Sequence, residues 1–394
     1  MKCILLTPWI SPHQLPLAEA IAKLIGGDNF LYIYLEPPPP NHVLWGWDKL
    51  GKENWCKLGG IDNKVLLDCD VLLSGVRDVL KFNERVRLGK KTYYMSERWF
   101  KPPIGMLRLL HPRYFLMAWR IVRLIRDSET FVYLPMGIHA ARDMARLCGL
   151  FAGDLRCLFR APKLDFERKP GGRIYLAASS LQLPAATATK SKRYCLDKMC
   201  MWGYYVEPSK VDALPVREAS NEVRVLWVGR LLNLKRVDTI VRAVGEHANL
   251  KRVDNLLPKI TLDIYGTGPE EKRLKSLAKK YGDATTFHGP VSVMEVRRLM
   301  RSHDVYVLAS NGYEGWGAVV SEALEEKMTV FGTYEAGSSV TMLPERNLFH
   351  AGDWKRLMGL LRDSKKGERN LICESFDWSA EVAAKNLMKD FING

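Results

Sequence analysis

Two glutamates, Glu314 and Glu322, lie in and just beyond the stretch Ser310-Asn311-Gly312-Tyr313-Glu314-Gly315-Trp316-Gly317. A strand is predicted to end at Ser310 and a helix to begin near Gly317 and run over 318–326. That order aims backbone amides and the positive end of a helix at an anion. Glycines let the backbone approach a phosphate closely. A phosphate does not bind carboxylates, so Glu314 and Glu322 are left for hydroxyl groups of the same ligand. One carboxylate for a sugar ring and one for a ribose is a consistent geometry. A glycine-rich strand-to-helix turn with solvated glutamates has the same pattern, and the loop alone does not separate the two.

Three further stretches follow strands in the same half of the chain. Gly229-Arg230-Leu231-Leu232-Asn233-Leu234-Lys235-Arg236 places Arg230 and Lys235 after the apolar run Val223–Val228. Two cations there suit a diphosphate, both bound and leaving. In a chain this basic, a pair of surface cations is the simpler explanation when the stretch is taken alone. Gly266-Thr267-Gly268-Pro269 holds a short G-x-G, which by itself marks a tight turn as readily as a ligand. Thr286-Phe287-His288-Gly289 ends another strand, where His288 faces either a base or its own neighbours.

The elements that position these residues alternate between short β-rich runs and helical patterns. Predicted strands are Cys3–Thr7, Phe30–Leu35, Asp70–Ser74, Thr92–Ser96 and Phe131–Leu134, then Val223–Val228, Ile260–Tyr265, Asp304–Ala309 and Met328–Phe331. Helices are predicted at Leu15–Ile25, Asp78–Leu88, Gly105–Arg126, Ile138–Leu150, Val237–Ala248 and Glu270–Tyr281. Pro269 suits the first turn of the last of these. Ser292 and Glu295 have capping-box spacing. Such alternation predicts parallel sheets covered by helices on both faces. The expected architecture is α/β, two doubly wound Rossmann-like domains with an intervening cleft into which both sets of carboxyl-end loops point. The first domain is placed at 1–210 and the second at 222–378, with a closing helix near 379–394 returning to the first. Residues 163–193 read as a long mobile excursion, and 207–221 as the linker.

The chain has 394 residues, 47% of them hydrophobic and 26% charged, a globular composition. No apolar run reaches the ~18 residues a spanning helix needs, and the first run is too short for a signal peptide. Eight cysteines show no paired spacing, so neither a zinc site nor a disulfide framework is expected. Asp68-Cys69-Asp70 precedes a strand and reads as loop and capping residues, not a metal site. Lysine and arginine exceed aspartate and glutamate by 59 to 44, which favours anionic partners without choosing among them.

Taken together, residues 223–384 resemble the donor domain of glycosyltransferase family 4, especially its bacterial capsular and exopolysaccharide members. The resemblance rests on an E-x7-E signature at Glu314–Glu322, the G-R-L…K element, the G-x-G-P and F-x-G elements, and a closing Trp378-Ser379 with Ala383-Ala384, all in order. It implies a GT-B fold and retaining transfer of a sugar from a nucleotide-diphosphate-sugar, with no metal or other cofactor. It also implies roles. Arg230 and Lys235 stabilise the departing diphosphate, and Glu322 holds the ribose. Glu314 with the amides of Gly315, Trp316 and Gly317 contacts the sugar and distal phosphate. Gly229, Gly266, Gly268 and His288 complete the donor set. Ser321 stands where relatives often carry Asn, Lys327 and Thr329 replace the usual Gly and Pro, and Asn347 lacks a following Gly.

In the first half, His13, Glu97 and His139 end or follow strands. They are the candidates for the acceptor side, with His139 also a candidate catalytic group. The stretch 101–126 carries six Lys or Arg and no acid. On a wheel begun at Arg113, an apolar half holding Phe115 opposes Arg113, Arg120, Arg123 and Arg126, with Trp119 and Leu116 among the arginines. That face suits an anionic membrane surface, and equally an ordinary solvated helix. The expected partners are a nucleotide-sugar, a glycan or polyprenyl-linked acceptor and the inner face of the plasma membrane, from the cytoplasmic side. Two other classes fit the charge or fold: a sugar-nucleotide 2-epimerase, and a nucleic-acid binder or modifier. The E-G-W-G form of the signature speaks against the first. The second lacks any nucleic-acid module, so no nucleic-acid partner is expected.

Overall fold

The computed structural model describes residues 2–43, 46–60, 62–160, 164–168, 174–178, 195–207, 222–364 and 379–392. The chain divides into two units, one of residues 1–43, 47–206 and 377–394, the other of 44–46 and 207–376.

The first unit holds β1 (Cys3–Thr7), β2 (Phe30–Tyr34), β3 (Cys56–Leu58), β4 (Val71–Ser74), β5 (Lys91–Ser96) and β6 (Phe131–Pro135). They form one sheet in the order β3-β2-β1-β4-β5-β6, every neighbour parallel. Every residue of β1 and β4 is buried, as strands covered on both faces require. The helix Leu15–Ile25 lies on this core. The helix Ala380–Ile392 joins the same core through Ala383, Ala384, Leu387 and Met388. Leu387, 4% exposed, alone contributes about 2 kcal/mol of burial. A separate hairpin pairs β7 (Leu164–Arg168) antiparallel with β8 (Ile174–Ala178).

The second unit repeats the plan with β9 (Glu222–Val228), β10 (Lys259–Tyr265), β11 (Thr285–Gly289), β12 (Val305–Leu308), β13 (Thr329–Thr333) and β14 (Leu348–Phe349). The order is β11-β10-β9-β12-β13-β14, again all parallel. In each sheet the strand order reverses beside its first strand, at β1/β4 and at β9/β12. Ligands of open α/β sheets bind at the carboxyl ends of such switch points.

Several expectations change. The short edge strands β3 and β14 escape a pattern search because three and two residues carry no period. The expected helix Gly105–Arg126 is broken: a 3-10 turn, Gly105–Leu110, precedes an α-helix Pro112–Asp127. His111 is extended before Pro112, because the proline ring disfavours a helical residue ahead of it. The stretch expected as an excursion contains the hairpin, and its remaining residues lie outside the described ones, as do 208–221 of the expected linker and Trp378. Ser292 does cap its helix, accepting from the Glu295 amide at 3.3 Å, but the Glu295 carboxylate engages Arg298.

Candidate functional site

The loop after β9 begins at Gly229, turns through a 3-10 segment Asn233–Lys235 and enters the helix Val237–Val253. Arg236 stands at φ 47° and folds its guanidinium onto Asp238, 3.1 Å away. That leaves Arg230, which is exposed, and Lys235 as the cations at the strand end.

The loop after β12 meets this one directly. The Asn311 amide donates to the Leu234 carbonyl at 2.9 Å. Lys235 forms an ion pair with Glu314, their side chains 23% and 14% exposed. The Ser310 hydroxyl donates to the same carboxylate oxygen at 2.9 Å. Thr333 at the end of β13 in turn donates to the Ser310 carbonyl at 2.5 Å. Residues 79 positions apart are thus brought together at the β9/β12 switch point.

Glu322 lies on the following short helix, Val319–Glu325, and is half-buried. Desolvation pushes its carboxyl up to about 7; the neighbouring Glu326 adds to the rise and Arg297 opposes it. Tyr306, buried on β12, registers both glutamates. Its hydroxyl is held protonated first by burial, then by the negative charges of Glu322 and Glu314. Both carboxylates thus lie within electrostatic reach of this hydroxyl.

The glycines of the donor set have a backbone reason. At Gly266, φ 147°, an added Cβ would lie 1.8 Å from the Gly229 carbonyl oxygen; at Gly268, φ 159°, it would lie 2.5 Å from that of Leu231. The Gly229 and Leu231 amides donate to the Tyr265 and Thr267 carbonyls at 3.0 and 2.9 Å. The G-x-G therefore lets two loops zip together and fixes the segment carrying Arg230 and Lys235. Gly317, φ 85°, packs against Leu308 and Ser338. Trp316 is 1% exposed, so its side chain anchors the loop and only its backbone is left to meet a ligand. The Gly337 and Ser338 amides hold the same loop through the Gly315 and Trp316 carbonyls.

His288 is not brought to this cluster. It ends β11, two strands or about 10 Å from β9, stacked on Tyr265 at 4.4 Å and bonded to Asp263 at 2.6 Å. Asp263 also takes His303 at 3.2 Å, and these two bonds hold its carboxyl below the usual range.

In the first unit, His13 follows β1, Glu97 follows β5 and His139 opens the helix Ile138–Phe151 after β6. His13 is half-buried among Trp47 and Tyr204, at 6.1 and 5.7 Å. Burial, then the nearby His42, lowers its pKa to about 4, so it is neutral at neutral pH. Glu97 pairs with Lys101 at 2.8 Å, and its charge reaches the Tyr204 hydroxyl, which burial already holds protonated. Tyr204 thus lies beside His13 and within electrostatic reach of Glu97. Sequence pattern alone does not single it out, although Trp202-Gly203-Tyr204-Tyr205 carries an aromatic signal.

On the helix Pro112–Asp127, Arg113, Trp119, Arg120, Arg123 and Arg126 are all exposed. Arg126 nonetheless donates to the Cys148 carbonyl at 3.1 Å, and Arg123 pairs with Asp127 at 3.4 Å. Phe115, expected on the packed half, is 46% exposed, its ring lying against Phe151 at 5.2 Å. Asp70 of the D-x-D stretch binds the Lys2 amide and Lys90.

Residues 214–370 match the family described as glycosyl transferases group 1. The second unit is a group 1 glycosyl transferase domain. The chain is also 25% identical over 196 residues to an uncharacterized glycosyltransferase of Methanocaldococcus jannaschii, covering 44% of this chain and 46% of that relative. It thus spans about half the length of the curated relative it matches. Among solved structures it is similar to Anabaena HepE in complex with UDP, with TM-score 0.56, 13% identity, and coverage of 99% of this chain and 96% of that one. It is also similar to the lipopolysaccharide outer core galactosyltransferase WaaB, with TM-score 0.56, 14% identity and coverage of 100% and 98%. The trehalose-6-phosphate synthase OtsA gives TM-score 0.57, 10% identity and coverage of 100% and 98%. These likenesses establish the GT-B fold with two Rossmann-like units. The β9/β12 loops of the glycosyl transferase domain fall wholly within the matched residues.

Proposed function

We propose that the chain is a retaining glycosyltransferase of family 4, moving a sugar from a nucleotide-diphosphate-sugar to a glycan or lipid-linked acceptor. One observation carries the reading: Lys235 meets Glu314 at the switch point of the second sheet. Cations at a strand end suit a diphosphate whose charge grows as it leaves. Arg230 and Lys235 take that role, and no metal is assigned beside them. Glu314 and the Gly315 to Gly317 backbone take the sugar and distal phosphate, and Glu322 the ribose. In the retaining reading, the leaving phosphate accepts the acceptor's proton on the face it departs from. That HepE is solved in complex with UDP supports a nucleotide ligand. His13, Glu97 and His139 are assigned to the acceptor, with His139 the catalytic candidate among them.

The test is nucleoside diphosphate release from a nucleotide-sugar that depends on an added sugar acceptor, with the anomeric configuration of the product read by NMR. Sugar interconversion without acceptor, or an inverted product, would overturn the reading.

We assign the work to surface polysaccharide synthesis at the inner face of the plasma membrane. Among the described residues no helix is long and apolar enough to cross a membrane. The exposed Arg113, Arg120, Arg123 and Arg126 with Trp119 and Leu116 support docking on anionic lipid instead. Ile104, Leu107 and Leu110, 51%, 64% and 80% exposed, extend that apolar edge. The expected result is salt-sensitive binding to phosphatidylglycerol vesicles that is lost on changing Arg120 and Arg123 to Glu. Unchanged binding by that variant refutes docking through this face.

A further inference from the structure

One buried charge cluster lies outside the roles assigned so far. Glu326, fully buried, accepts from Arg297 at 2.5 Å and from Arg301 at 2.8 Å. Arg297 also donates through both terminal nitrogens to the Glu207 carbonyl, at 3.1 and 3.2 Å. It is thereby fixed from two sides, and its side chain is 17% exposed. Glu326 stands one turn beyond Glu322, its amide bonded to the Glu322 carbonyl at 3.0 Å. We propose that Arg297 is a positioning residue for nucleotide binding, clamped by Glu326 and Glu207 so that its charge keeps Glu322 an anion able to accept two ribose hydroxyls. The inference rests on the donor-site reading above.

The groups that face Glu322 set a clear balance. Arg297 comes from the helix Val293–Ser302, Glu326 from its own helix and Tyr306 from β12. β13 and the helix Gly337–Met342 bring no titratable side chain. Burial and Glu326 favour the neutral acid, and Arg297 is the group that opposes them. A protonated Glu322 keeps one good acceptor oxygen and turns the other into a donor, so it no longer takes both hydroxyls as acceptor. Glu326 holds Arg297 in place while its own charge is matched by Arg301, which lets one carboxylate serve as a clamp without reversing the effect of the arginine it clamps.

The experiment is calorimetric titration with UDP and GDP from pH 6 to 9. The wild-type protein should bind at least one of them, with affinity falling as pH drops through about 7. An opposite charge removed from this range raises a carboxyl pKa by about one unit or more. Arg297→Met should therefore bind about tenfold more weakly than wild type at pH 6.5 and nearly equally at pH 9. Arg297→Lys, which keeps the charge, should follow the wild-type profile. Glu322→Gln should flatten the profile, a result that stands even if Arg297→Met fails to fold. A uniform loss across pH in Arg297→Met, or persistent pH dependence in Glu322→Gln, overturns the proposal and leaves the donor site standing. Failure of the wild-type protein to bind either nucleotide at any pH overturns the donor-site reading itself.

Discussion

Lys327 occupies a position where a side chain is a cost. It stands at φ 61°, just past the helix that carries Glu322. The Met328 amide donates to the Ala323 carbonyl at 2.9 Å and the Lys327 amide to that of Leu324 at 3.0 Å. That pair of bonds is a Schellman motif, whose left-handed residue is usually glycine. A non-glycine residue there is roughly 1–2 kcal/mol worse than in the right-handed region. Changing it to glycine removes that cost but adds about 0.4–1 kcal/mol of freedom to the unfolded chain. Lys327 is exposed, so little packing is lost. The net gain is about 0.5–1 kcal/mol, or roughly 1–4 °C in Tm for a unit of this size. Lys327→Gly should therefore raise the calorimetric Tm, while Lys327→Ala, which keeps the strain, should not. Equal Tm values for the two variants, or a lower one for glycine, would refute the reasoning.

Gly266→Ala drives a methyl group into the Gly229 carbonyl and should cost about 2–3 kcal/mol in urea unfolding. Gly359→Ala, in a helix with nothing within 4 Å of the new methyl, should stabilise by about 0.5–1 kcal/mol. Glu322→Gln tests the stability side of a raised pKa. A folded pKa above the unfolded one gives stability that is complete below the unfolded value, ~4.3, and is lost as pH rises through about 7. The variant should gain Tm relative to wild type between pH 5 and 8, and a constant Tm difference across that window would count against it. Asp263→Asn should destabilise the second unit at neutral pH. Because the folded pKa is depressed, the difference should shrink as pH falls below the ordinary carboxylate range, and one that persists in acid would argue that the histidine contacts contribute little.

Much of this organisation was legible in the sequence, for identifiable reasons. Strands such as Cys3–Thr7 declare themselves because both faces are buried and every residue is apolar. The helix Leu15–Ile25 has clear periodicity and a proline in its first turn. The loops holding Glu314 and Lys235 were visible because glycines mark places where backbone must turn or approach. Their meeting was not visible, since it depends on a strand order that places β9 beside β12. The G-x-G pointed to a ligand or a turn, whereas its glycines make room for another loop. Arg297 carried no signal, because a surface arginine and a clamped one look alike until Glu326 and Glu207 are in place. Lys327 showed the converse: it stands where the family usually carries glycine, and only the backbone angle shows that the position is left-handed.

The central claim is that Lys235, Glu314 and Glu322 form the donor site of the second unit. Its most direct measurement is a thermal-shift panel of nucleotide-sugars on the wild-type protein, repeated on Lys235→Ala and Glu322→Ala. The account predicts that at least one nucleotide-sugar raises the Tm of the wild type and that each variant, still folded, loses most of that rise. A full shift in both folded variants would contradict it.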